Sequence, residues 1–164
     1  MPKANIPFDD FVQAAGDKHL NFITNLHNFM AENECRVDIK QAASGHVVSY
    51  IHTPSKRTVA NYVFRKNGLM MRIYADNVSS YMEILSNWPV AMKDTIKKSG
   101  VCKRLINPEA CNQRCLMGFD FILDGERYQK CRNGSFMFFI DDETKPHIRK
   151  MMEHEMQERR RLTI

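Results

Sequence analysis

A chain of 164 residues suits one domain with a sizeable core. Hydrophobic residues at 43% and charged residues at 26% match globular averages, which excludes a disordered chain, and no run approaches the roughly 18 apolar residues of a membrane helix. The formal net charge of +5 is a mild excess that helps anionic partners approach without establishing nucleic-acid binding.

The N-terminal stretch MPKANIPFDDF lacks the apolar core of a secretory leader, so the expected compartment is the cytoplasm. Thiols are kept reduced there, and five cysteines are an odd number, so a disulfide framework is disfavoured.

Residues 8–33 read as helix. Phe8, Phe11 and Val12 begin an apolar set, and Leu20, Ile23, Leu26 and Met30 continue it at spacings of three and four. Gly16-Asp17 offers a break. His19 and His27, two turns apart, read as surface or boundary residues. Val37-Ile39 and Val47–Ile51 then give strand signals, followed by a Thr53-Pro54-Ser55 turn.

The run TVANYVFRK-NG-LMMRIYA predicts a hairpin with Asn67-Gly68 as a two-residue type I′ turn. Phe64 then pairs with Met71 and Tyr62 with Ile73. One face carries Ala60, Tyr62, Phe64, Leu69, Met71 and Ile73 toward the core. The other carries Asn61, Arg65, Arg72 and Tyr74, a set suited to a carboxylate or phosphate through paired guanidinium donors. An outer face with arginine stems lying over apolar neighbours is the plainer alternative.

Residues 76–88 and 90–98 read as two helices separated by Pro89, the second closing at Lys97-Lys98-Ser99-Gly100. The segments 118–123, 126–132 and 135–140 read as a three-stranded meander with Asp124-Gly125 and Asn133-Gly134 turns. Residues 143–161 form a final amphipathic helix with Ile148, Met151, Met152 and Met156, ending in the solvated charge run ERRR.

Four cysteines lie between 102 and 131, spaced C-x8-C-x3-C-x15-C. Asn107-Pro108-Glu109 reads as a helix start, which would put Cys111 and Cys115 on one helical face. The Asp124-Gly125 turn places Cys131 opposite Gly118, three residues beyond Cys115. Cys102, Cys111, Cys115 and Cys131 thus form a candidate tetrahedral zinc site with no open position for chemistry. The spacing is not that of paired C-x2-C knuckles, and free core thiols or redox thiols remain open. Cys35 reads as a core thiol. No nucleophile-elbow, zincin, P-loop or dinucleotide motif is present, so an enzyme has no specific support.

The order of elements around RKNGLMMRIY, with the late SFMFFIDDETKPHIRKMM, resembles the YdhG-like small bacterial domains over roughly residues 45–155. That resemblance implies an antiparallel sheet packed with helices in a bacterial cytosol. The cysteine segment departs from the pattern, and the iron-chaperone role proposed for the family transfers to no residue here.

The expectation is one α+β domain of residues 1–164, with an antiparallel sheet of about five to seven strands packed by N-terminal, middle and C-terminal helices. The expected function is non-enzymatic binding of a small anionic ligand on the face of Asn61, Arg65, Arg72 and Tyr74, with structural zinc on the four cysteines. A thiol-based redox sensor or enzyme is the alternative, and nucleic-acid binding through the basic surface is a third reading.

Overall fold

Apolar spacing sets the first two helices. Phe11 is buried from α1 (Phe8–Ala15), and Ile23, Leu26 and Met30 are buried from α2 (Leu20–Glu32). Gly16 ends α1 with φ 94°, a left-handed value that glycine adopts without steric cost. The structure, a computed structural model, describes residues 7–43 and 45–162; the stretch read for a leader lies mostly outside them.

Four strands follow as an antiparallel run: β1 (Cys35–Ala42), β2 (Gly45–His52), β3 (Arg57–Arg65) and β4 (Gly68–Ile73). The expected middle helices are α3 (Met82–Ser86), preceded by a 3-10 turn, and α4 (Val90–Lys98), followed by the one-turn α5 (Lys103–Ile106). Two strands, β5 (Phe119–Leu123) and β6 (Glu126–Lys130), form a separate two-stranded sheet, with a single bridge from Lys130 to Val101. Finally β7 (Met137–Phe139) joins the edge of β4, and α6 (Lys145–Leu162) closes the described chain. The large sheet has the order β1-β2-β3-β4-β7, so the α+β architecture is as the pattern implies.

Strand periodicity builds the core. Tyr50, Tyr62, Met71, Ile73 and Phe138 point to one face, where they meet Phe11, Leu26, Met30, Met151 and Met152 in a single cluster. Phe119 and Phe121 of the small sheet reach the same cluster through Phe136, at ring-centroid distances of 5.5 and 5.6 Å. Lys130, only 7% exposed, donates to the carbonyls of Lys97 and Ser99 at 2.7 and 2.8 Å, capping α4. α6 begins on a reciprocal cap. The Asp141 carboxylate accepts from the Glu143 and Thr144 N–H groups, while the Thr144 hydroxyl accepts from the Asp141 N–H.

Four local expectations are corrected. The β3–β4 turn closes at Arg65–Gly68, so Phe64 pairs with Leu69 rather than Met71, and Tyr62 with Met71 rather than Ile73. Neither Lys66 nor Asn67 has positive φ, so the turn is not type I′; Gly68 takes the closing position, where type I turns favour glycine. The slip is two residues in pairing sum, so each side chain keeps its face. Second, residues 107–115 form turns rather than a helix. The Asn107 and Asn112 side chains accept from the N–H groups of Glu109 and Arg114, offering the backbone local partners that compete with a helix. Third, the meander is broken: β7 pairs with β4, because Phe136, Phe138 and Ile140 bury against the main core. Fourth, the ERRR end is not wholly solvated, since Arg159 is 5% exposed.

Candidate functional site

Register decides which side chains share the sheet's second face. Two cross-strand rows cover it. One runs Asp38, Ser49, Asn61, Arg72, Met137, and the next runs Lys40, Val47, Val63, Met70, Phe139. Arg36 lies one row beyond the first and Arg65 one row beyond the second. Apart from Asn61 and Val63, these residues are exposed or half-exposed.

Asn61 and Arg72 stand directly opposite each other. Arg72 Nη1 donates to Asn61 Oδ1 at 3.2 Å, Nε donates to the Asn133 carbonyl at 2.7 Å, and Nη2 lies 3.8 Å from Met137 Sδ. The guanidinium is therefore fixed in orientation, and the N–H groups left over on Nη1 and Nη2 can take an anion.

Of the other expected ligand-binding residues, Arg65 sits at the hairpin tip and, among the described residues, donates to its neighbour's carbonyl, Phe64 O, at 3.4 Å. The slipped turn puts it four residues from the Asn61–Arg72 pair, about 13 Å along the strand, so the two arginines do not clamp one group. Tyr74 is committed elsewhere: the Arg132 guanidinium stacks 4.9 Å from its ring centroid.

On these rows cations outnumber carboxylates, with Arg36, Lys40, Arg65 and Arg72 against Asp38. Lys40 pairs with Asp38 at 3.6 Å, whereas Arg36, Arg65 and Arg72 have no carboxylate partner among the described residues. A cleft of about 260 Å³ borders the face between β7 and α4, walled by Met70, Met92, Met137 and Phe139, with Asp141 and Glu143 among its polar lining.

The cysteine segment is organised around Gly118. The β5–β6 register has Leu123 opposite Glu126 and Phe121 opposite Tyr128, as the Asp124-Gly125 turn predicts, and the ladder ends at Phe119 opposite Lys130, one residue short of Gly118 and Cys131. Cys102 Sγ accepts the Gly118 N–H at 3.2 Å, and the Cys131 N–H donates to Gly100 O at 2.7 Å. The structure thus brings Cys102 and Lys130 to Gly118, with Cys131 the next residue after Lys130. Cys115 lies three residues before it, with its carbonyl held by Arg104 Nη1. Cys111 is exposed in a turn at φ 62°, and the helical pairing of Cys111 with Cys115 does not form. Among the described residues no three of His, Cys, Asp and Glu stand together as metal ligands, and all five cysteines are free thiols. Burial pushes the Cys35 thiol up to about 12, so it is protonated at neutral pH.

A buried polar network went unread in the sequence. Glu155, fully buried on α6, accepts from Tyr81 Oη at 2.6 Å, from the N–H and Nδ2 of Asn77 at 3.1 and 2.8 Å, and from Arg159 Nε at 2.8 Å. Arg159 continues to the Tyr74 carbonyl at 2.9 Å and Asp76 at 3.0 Å, and Asp76 also accepts both terminal nitrogens of Arg132. Burial raises the Glu155 carboxyl; Arg159, Tyr81 and Asn77 pull it back. The network pins α6 to the chain leaving β4. The signal lay in spacing: positions 148, 152, 155 and 159 continue one helical stripe, with two polar members.

Comparison with protein-family models, curated proteins and solved structures finds no match. Among the described residues no helix is long and apolar enough to cross a membrane.

Proposed function

We propose that the protein is a non-enzymatic binding module of the cytosol whose second sheet face takes a ligand carrying phosphate or carboxylate groups. One observation carries this reading: three arginines share that face without a carboxylate partner among the described residues, and Arg72 is held in place by Asn61 and the Asn133 carbonyl. A fixed guanidinium presents planar paired donors to an oxyanion at little further entropic cost. Titrating pyrophosphate into the protein and its Arg72→Ala variant by calorimetry tests it. Salt-sensitive binding that the variant loses supports the reading; equal isotherms sink it.

A second reading keeps the four cysteines as a structural zinc site. It is favoured by the Gly118 N–H donated to Cys102 Sγ, the kind of contact that supports a metal-bound thiolate, and by a β5–β6 register whose last pair, Phe119 with Lys130, lies next to Gly118 and Cys131. Cys115 and Cys111 would close the shell from the adjoining turns. The test is metal analysis of protein purified without chelator, with thiol titration before and after chelation. One zinc per chain and four thiols protected until chelation support the site. A metal-free protein with unprotected thiols excludes it, and a fast-reacting thiol would favour the redox alternative instead.

A further inference from the structure

The arginines are not clustered as they would be for one small anion. Arg36 and Arg65 are separated by two strand spacings and three rows, a span of about 20 Å, with Arg72 between them in row order. A single phosphate meets one of these sites; an extended polyanion meets all three.

The face also offers more than charge. Beside Arg72, one strand over and one row along, Phe139 is 40% exposed, with its ring over Gly68, where an added Cβ would lie 3.7 Å from it. The ring forms one wall of the 260 Å³ cleft, whose other walls are Met70, Met92 and Met137. That volume holds a planar heteroaromatic ring. Beside the Thr95 and Thr144 hydroxyls, which donate to backbone carbonyls, the cleft carries two carboxylates: Glu143 has no ion-pair partner among the described residues, and Asp141 uses one carboxylate oxygen to cap α6. Carboxylates accept from the exocyclic amines of nucleobases. Arg72 and Phe139 lie about 8 Å apart at the backbone, the span from one nucleotide's phosphate to its base.

We propose that the ligand of this face is single-stranded nucleic acid. An unpaired base enters the cleft against Phe139, and the flanking phosphates rest on Arg72, Arg65 and Arg36. This rests on the anion-binding reading above and adds the base. A duplex keeps its bases stacked and cannot fill the cleft, whereas a splayed single strand can.

The test is fluorescence anisotropy of a labelled mixed-sequence 12-mer single strand at low salt, with heparin, the matching duplex and a mononucleotide as competitors. Phe139→Leu keeps an apolar side chain at a partly exposed position and removes the ring, and its fold is checked by thermal melting. The expected results are salt-sensitive binding of the single strand, about 10-fold loss in Phe139→Leu, and a salt slope lowered by about one in Arg72→Ala. If Phe139→Leu binds like the parent and the duplex or heparin competes as well as the strand, the base reading is overturned and polyanion binding survives. A mononucleotide that binds as tightly as the 12-mer overturns the extended strand. If neither strand nor heparin binds, the anion-binding face itself fails.

Discussion

Arg72 on β4 faces Asn61 on β3 and donates to its amide oxygen, and the same guanidinium holds the Asn133 carbonyl from a loop sixty-one residues away. One side chain thus locks the sheet to the turn that carries the chain from β6 to β7. Replacing it should therefore cost stability as well as binding. Arg72→Ala is expected to lower unfolding free energy by about 1–2 kcal/mol, since hydrogen bonds from a charged donor exceed neutral ones. Asn61→Ala should loosen the guanidinium and weaken pyrophosphate binding less than Arg72→Ala does. Urea melts and calorimetry of both variants check the order.

The Glu155–Arg159 pair is buried, with Arg159 at 5% and Glu155 at 0% exposure. Removing Arg159 leaves the Glu155 carboxylate buried without a cation, whereas removing Glu155 leaves Arg159 on Asp76 and the Tyr74 carbonyl. Arg159→Ala is expected to cost about 3–5 kcal/mol, and Glu155→Ala less. The double substitution Glu155→Leu with Arg159→Met should cost clearly less than the sum of the two singles, because no charge is left unpaired. Additive losses in chemical denaturation would show that the two residues act independently.

Three histidines favour the neutral form. Burial lowers His19, His27 and His52, with Lys145 adding to the effect at His19 and Arg159 at His52. Their folded pKa values lie below the ordinary 6.5, so the unfolded chain takes up protons first as pH falls. Their contribution to stability is full above about pH 6.5 and declines as pH drops through the folded values. His52 is fully buried, with Nδ1 bonded to the Ser55 hydroxyl at 2.8 Å. His52→Gln should reduce the slope of unfolding free energy between pH 7 and 5, which a series of urea melts measures. An unchanged slope assigns the dependence to other groups.

Gly118 is required by close approach rather than by its backbone angle. A Cβ there would fall 2.0 Å from the Lys130 carbonyl oxygen and 2.7 Å from Cys102 Cβ. Gly118→Ala must push β6 or the Cys102 segment aside, so a loss above about 3 kcal/mol is expected. Gly134→Ala, where an added Cβ meets nothing within 4 Å, is the matched control and should change stability little. Thermal melts of the two variants separate the cases.

Much of this architecture was legible because apolar spacing is local. The α1–α2 break at Gly16, the β3–β4 faces and the Asp124-Gly125 register all follow from residues near one another in sequence. The misreadings have a common physical source, which is competition from distant or side-chain partners. The cysteine turns lost their helix to the Asn107 and Asn112 amides. β7 left the expected meander because Phe136 and Phe138 are worth more in the main core. The two-residue slip in pairing sum at Lys66-Asn67 preserved faces but moved Arg65 away from Arg72, which changes a clamp into a spread of single sites. Arg132 took Tyr74 from the candidate site through a contact fifty-eight residues distant in sequence, which no local pattern announces.

Arg72, with Arg36 and Arg65, is proposed to form the anion-binding face. NMR detection of arginine side-chain Nε–H signals during a pyrophosphate titration reads each guanidinium separately. Arg72 is expected to shift most, Arg36 and Arg65 to follow at higher ligand, and the buried Arg132 and Arg159 to stay in place. Shifts centred on Arg160 and Arg161 of α6, with Arg72 unmoved, would contradict it.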